Sequence, residues 1–212
     1  MPALPHLRPT LAVGQRGVSL IELLVGIAII GIAVAIGAPS FAEWINNSQI
    51  RSTAESLQNG LQFARAEAVR RNTIVRLQVT TTLDGACALS TAGTSWVVSL
   101  DSAGSSANHC GDDISETGSS ILQKGQPVTA KSKTTINASQ TAFGFNGLGR
   151  IVKTTSPDTD IVSSTIDINS SGGACTGDPG GTLRCLRVVV AAGGQIRMCD
   201  RARATPDPMA CP

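Results

Sequence analysis

Aromatic residues are nearly missing from this 212-residue chain, which holds two Trp, four Phe and no Tyr, 3% in all. A core of Val, Ile, Leu and Ala is therefore expected, and an aromatic platform for stacking bases is close to excluded. Histidine is limited to His6 and His109, which removes most His-based catalysis and most His-ligated metal sites. No two cysteines form a C-x-x-C pair, so zinc-ligand spacing fails. An excess of charge is lacking too: 17 Lys and Arg face 15 Asp and Glu, which describes neither a polybasic nucleic-acid binder nor an acidic tail protein. A nucleophilic triad would need His109, which sits beside Cys110 in a Gly/Ser-rich loop where a disulfide is the plainer use of the cysteine. The carboxylates Asp112, Asp113 and Glu116, or Asp158 and Asp160, lack the spaced oxygen ligands of a calcium loop. The glycines of residues 144–149 open no helix and carry no Lys-Ser/Thr, so no phosphate loop is present. The expectation is a protein that is not an enzyme and has no cofactor and no metal.

What the sequence does have is a long apolar run near its start. From Val18 to Ala38 it reads VSLIELLVGIAIIGIAVAIGA, 21 residues with one ionisable side chain, Glu22. At ~1.5 Å per residue this makes about 31 Å of helix, the thickness of a bilayer's hydrocarbon core. A cleaved secretory signal is the competing explanation, since small residues at 33–35 follow a basic start. Against it stands Glu22, because a carboxylate inside such a run costs about 2.5–3.5 kcal/mol on insertion and is by default functional. The helical pattern also continues past Pro39 and Ser40. Ile50, Ala54, Leu57, Leu61, Ala64 and Ala68 recur at spacings of 4, 3, 4, 3 and 4, an amphipathic helix in phase with the apolar one. Asn72 is a plausible stop after the basic turn Arg70-Arg71.

Gly17-Val18-Ser19-Leu20-Ile21-Glu22, after a short basic leader and before the apolar run, resembles the class III signal of type IV pilins and type II secretion pseudopilins. The resemblance implies cleavage by a prepilin peptidase between Gly17 and Val18, methylation of the new amine at Val18, and a role for Glu22 in assembly register. Most members have Phe or Met where this chain has Val18. The pattern Leu61-x-x-Ala64-Arg65-x-Glu67-Ala68-x-x-Arg71-Asn72 is similar to the GspH/FimT branch. It implies a minor pilin or pseudopilin in the inner membrane, with a leader at 1–17, a membrane helix at 18–39 and a periplasmic head at 40–212. The implied partners are other pilins or pseudopilins, the prepilin peptidase and an inner-membrane assembly platform. The physics of Glu22 fits this independently: an unpaired carboxylate in lipid needs a cation, and the free amine of Val18 in an adjacent subunit is one.

Beyond Asn72 the period changes to two. Val75, Leu77 and Val79 begin a series of short strands, continued at 96–100, 141–145, 150–153, 164–168, 186–192 and 195–199. Gly193-Gly194 reads as a two-residue hairpin turn, which would set Arg187 across from Asp200. The expected architecture is α+β, one long helix on an antiparallel sheet. All six cysteines, Cys87, Cys110, Cys175, Cys185, Cys199 and Cys211, follow the membrane run, as in an oxidising compartment. Fifteen connectivities are open; pairing nearest neighbours would staple three loop regions.

Some relatives in the FimT branch capture DNA through a C-terminal Gly-Arg-x-Arg pattern. The matching stretch here is Gly194-Gln195-Ile196-Arg197, with Gln in place of the first Arg. Around it, residues 184–212 carry five Arg against two Asp. Arg197, Arg201 and Arg203 are thus candidates for weak, salt-sensitive DNA contact, or for a hairpin face whose arginines are paired or solvated.

Overall fold

The computed structural model describes residues 17–100, 106–114, 121–129, 132–152 and 163–212. The chain divides into two units, one ending at Phe41 and one running from Ala42 to Pro212. A single helix, α1 (Leu20–Arg71), contributes to both. Its start is capped by Ser19, whose Oγ accepts the Glu22 N–H at 3.2 Å. Among the described residues of the first unit the large apolar side chains are all exposed, and an 18-residue window has a mean hydropathy of 2.6. A soluble protein gains nothing from such a helix, whereas lipid both covers its side chains and leaves its backbone bonds satisfied internally.

In the second unit α1 buries one stripe, and it is the expected one: Ile50, Ala54, Leu57, Leu61, Ala64 and Ala68 are fully buried. Gly60 lies on this face, where a methyl group would come within 2.9 Å of Leu77 and 3.0 Å of Trp96. The missing side chain lets helix and sheet approach closely. The helix ends in a Schellman arrangement, with Asn72 at φ 49°, the Thr73 N–H on the Ala68 carbonyl and the Asn72 N–H on that of Val69.

Among the described residues nine strands follow, all paired antiparallel. They are β1 (Val75–Thr80), β2 (Ser95–Leu100), β3 (Ile121–Gly125), β4 (Thr134–Ala138), β5 (Ala142–Phe145), β6 (Ile151–Val152), β7 (Ser164–Ser170), β8 (Leu186–Val190) and β9 (Ile196–Asp200). The fold is α+β, but the strands form two sheets rather than one, ordered β3-β2-β1-β5-β6 and β4-β7-β8-β9. One apolar cluster joins α1 to both, with Leu77, Phe143 and Phe145 from the first sheet and Ile166, Ile168, Val188 and Val190 from the second. Strands β3 and β4 escape a sequence reading because ILQKG and TTINA alternate too weakly.

Strand β1 is buried on both faces. Its second face carries Arg76, Gln78 and Thr80, and a loop layer covers part of it. The Gln78 side-chain oxygen accepts the Ser106 N–H at 3.0 Å, and a small cluster of Cys87, Val97, Cys110 and Ile121 packs beside it.

The β8–β9 hairpin departs from the two-residue turn. The Gly194 N–H bonds to the Ala191 carbonyl, and the Ala191 N–H to that of Gln195. Gly194 takes φ 79°, giving a three-residue loop whose last residue is left-handed. The register shifts by one, so Arg187 faces Cys199 instead of Asp200.

Candidate functional site

The N-terminal elements come first along the chain. Val18 is 72% exposed and lies just before the helix. Ser19 and Glu22 stand at the spacing of a capping box, Ser-x-x-Glu, a signal that a search for charge alone passes over. The cap satisfies a helix donor that lipid could not, and it fixes the Glu22 backbone on the first turn of α1. Gly17 and Gly26 have open space where a side chain would be.

The cysteines are paired as Cys87–Cys110, Cys175–Cys185 and Cys199–Cys211. Each bridge closes a loop. The first holds the layer over β1, the second the loop between β7 and β8, and the third returns the tail alongside β9. There the Asp200 N–H donates to the Met209 carbonyl at 2.7 Å. His109 sits beside the first bridge with Nδ1 3.2 Å from Asp112, and among the described residues no three ligating side chains gather as a metal site would need.

The structure does not assemble the candidate arginines into one open patch. Arg197 donates to the Ala210 carbonyl at 3.4 Å. Arg201 donates to Asn169 at 2.9 Å and stands 3.9 Å from Asp167. Arg203 pairs with Asp207 at 2.7 Å and with Asp200 at 3.7 Å. Arg187 forms a two-pronged bond to Asp167 on β7, at 2.6 and 2.9 Å. That hydrogen bond, and the nearby charge, raises the Arg187 pKa above its ordinary value against the opposing effect of burial. In Asp207 the Met209 N–H, then Arg203, holds the carboxyl below the usual range. Arg187, Arg197, Arg201 and Arg203 are thus engaged within the chain, by carboxylates of Asp167, Asp200 and Asp207 and by carbonyl and amide oxygens.

At the end of α1, Glu67 accepts from both Arg70 and Arg71, at 2.8 and 2.7 Å. The Arg70 hydrogen bond is the largest influence on Glu67 and lowers its pKa; burial opposes it and Arg71 adds to it. Arg71 of the motif and its neighbour Arg70 thus serve the helix terminus. Arg65 spans from the helix to the β5–β6 turn, its Nε donating to the Gly149 carbonyl at 3.0 Å.

Sequence reasoning missed a groove. Between one face of α1 (Trp44, Asn47, Ser48, Arg51) and the β8–β9 tail (Arg184, Leu186, Met198, Asp200, Arg203, Met209) lies a cleft of about 400 Å³. Trp44 and Met209 remain 65% and 42% exposed.

Compared with known families, residues 53–202 match the type II transport protein GspH. The chain belongs to the GspH family. A second match, to the prokaryotic N-terminal methylation motif, spans residues 13–38. This GspH-family protein is 37% identical over 67 residues to the pilin-like protein PilA1 of Thermus thermophilus, covering 32% of the present chain and 42% of that relative. It thus spans less than half of that relative's length. Among solved structures, the type IV minor pilin FimU of Pseudomonas aeruginosa is similar in two crystal forms. TM-scores are 0.47 and 0.45 at 16% and 17% identity, over 75% and 74% of this chain and 94% and 97% of the other. The start of this chain's apolar helix α1 falls within the methylation-motif match.

Proposed function

We propose that this GspH-family protein is a minor pilin or pseudopilin made as a precursor. A prepilin peptidase removes residues 1–17, cutting between Gly17 and Val18, and the Val18 amine is methylated. Residues 18–39 hold the chain in the inner membrane with the head, 40–212, in the periplasm. An assembly platform then passes it into a type IV pilus or a type II secretion pseudopilus among other pilins, where it supports filament initiation or the tip. The observation that carries this reading is the exposed apolar helix with a single carboxylate, Glu22, on its first turn. In a filament the apolar side chains pack on those of neighbouring helices. The carboxylate meets the methylated amine of the next subunit, which fixes the axial offset.

The disulfides suit the same reading, since three bridges in the head match an oxidising periplasm. DNA capture is less well supported, because Arg197, Arg201 and Arg203 are engaged within the chain.

Mass spectrometry of the mature chain tests the proposal: it should begin at N-methyl-Val18, and a start near Pro39 would overturn it. Glu22→Ala should leave cleavage intact while the protein disappears from sheared filaments. Wild-type incorporation of that variant would defeat the register role.

A further inference from the structure

Two side chains of opposite sign stand without a charged partner at the Trp44 end of the groove. The Arg184 side chain lines it and, among the described residues, makes no ion pair or hydrogen bond. Glu43, next to Trp44 in the chain, meets no cation among them either; its carboxylate accepts the Thr182 hydroxyl at 3.0 Å. The Arg184 N–H donates to the Asn47 side chain at 2.8 Å, so residues 182–184 are strapped along the helix. Their two anchor points, Glu43 and Asn47, lie one turn apart, about 6 Å along the axis. The other charges around the groove are already met, Arg51 by Glu55 and Arg203 by Asp200 and Asp207. One positive and one negative group are left over.

The rest of the lining is largely apolar. Leu186, Met198 and Met209 face Trp44 across a volume of about 400 Å³, the size of a small-molecule site, and methionines adapt to a flexible occupant. Position limits what can fill it. Trp44 follows Ala38, the last residue of the apolar run, by six residues, at most about 22 Å of chain. While that run lies in a bilayer the groove is tethered to the leaflet, and lipid headgroups are its neighbours at high effective concentration. Trp is itself a residue of membrane–water interfaces.

We propose that the groove takes a phospholipid with a zwitterionic, hydrogen-bonding headgroup, a phosphatidylethanolamine of the anchoring leaflet. Its phosphate accepts from Arg184, its ammonium donates to Glu43, and the start of an acyl chain lies against Leu186, Met198 and Met209. A guanidinium grips phosphate with paired N–H groups. Two methylene groups separate that phosphate ester from the ammonium, so both leftover charges are met by one molecule. An anionic headgroup would leave Glu43 unmatched beside a second negative charge, and a choline headgroup has no N–H to donate to it. The proposal rests on the membrane-held stage of the reading above and adds what the head touches before assembly.

The test places p-benzoylphenylalanine at position 209 of the full-length protein in nanodiscs of equal phosphatidylethanolamine and phosphatidylcholine, irradiates, and identifies lipid adducts by mass. Both lipids share one disc, so their ratio does not depend on how the head leans on the surface. Phosphatidylethanolamine adducts should exceed those of phosphatidylcholine about fivefold. Glu43→Ala should bring the ratio near one, and Arg184→Glu should lower both adducts several-fold. Arg184→Lys keeps the charge and should hold the yield within about twofold. The proposal falls if no lipid adduct forms, if the adduct joins a second protein chain, if the unaltered protein shows no preference, or if neither charge change has an effect. An excess of phosphatidylcholine, as contact with the Trp44 ring alone would give, overturns it too. So does an excess of phosphatidylglycerol over phosphatidylcholine when that lipid replaces phosphatidylethanolamine. If the chain begins at N-methyl-Val18 in membranes yet gives no such adduct, only this site is lost. A mature start near Pro39 would overturn the assembly reading, and the tether with it.

Discussion

Glu67 shows how one residue of a family motif can be occupied by local structure. Its carboxylate ties down Arg70 and Arg71 in the last turn, where the helix dipole already favours positive charge. Because the folded pKa lies below that of the free side chain, the stabilisation is present above pH ~4.5 and is lost as pH falls through the folded value. Glu67→Gln should therefore cost about 0.5–1 kcal/mol in urea unfolding at pH 7, and the cost should shrink as pH falls through the folded value. Gly194 is the other residue with a strict demand, since it holds φ 79° and a methyl group there would collide with the Gly149 carbonyl. Gly194→Ala should lose about 1–3 kcal/mol, measured the same way in detergent. Gly193-Gly194 advertises a turn in the sequence, but not its length. The count of residues between Ala191 and Gln195 depends on which backbone hydrogen bonds close; the one-residue difference puts Cys199 opposite Arg187 on β9, while the β7–β8 register supplies its partner Asp167.

Among the elements, α1 was legible almost to the residue, because its buried positions repeat at helical spacing and its stop is an asparagine able to enter the left-handed region. The buried stripe also carries the energetics. Leu61→Ala should cost about 2–5 kcal/mol, read as a fall in the urea midpoint, because Leu61 is fully buried and its neighbours are sheet residues that cannot collapse into the gap. Strand β1 was legible from its alternation, but its burial on both faces was not, since the loop layer that covers Gln78 comes from residues 28 positions later. Strands β3 and β4 owe their pairing to neighbours rather than to their own pattern. The tail after β9 is an element held by its ends. Replacing Cys199 and Cys211 together by Ser opens a loop of 12 residues and should cost about 2–4 kcal/mol. Limited proteolysis should then cut within 201–210, where the oxidised protein resists.

At the scale of the whole molecule, charge is balanced in sum and uneven along the chain. Arg8 and Arg16 lie before the apolar run, and residues 18–212 have as many bases as acids. The basic tail that stands out in sequence is met in the fold by Asp167, Asp200 and Asp207. Composition could not foresee this, because Asp167 lies on a different strand. The groove was equally hidden, being made from a helix face and a tail more than 130 residues apart. The disulfides carry a mechanical consequence. All six cysteines lie after α1, so no covalent bond other than the main chain joins that helix to the sheets. In the proposed filament, tension would load the subunit through the helix and reach the stapled head by shear across the apolar seam at Ile50, Leu57 and Leu61. The weak plane under load is then the helix–sheet seam, and a subunit pulled apart there would keep a head still closed by its three bridges.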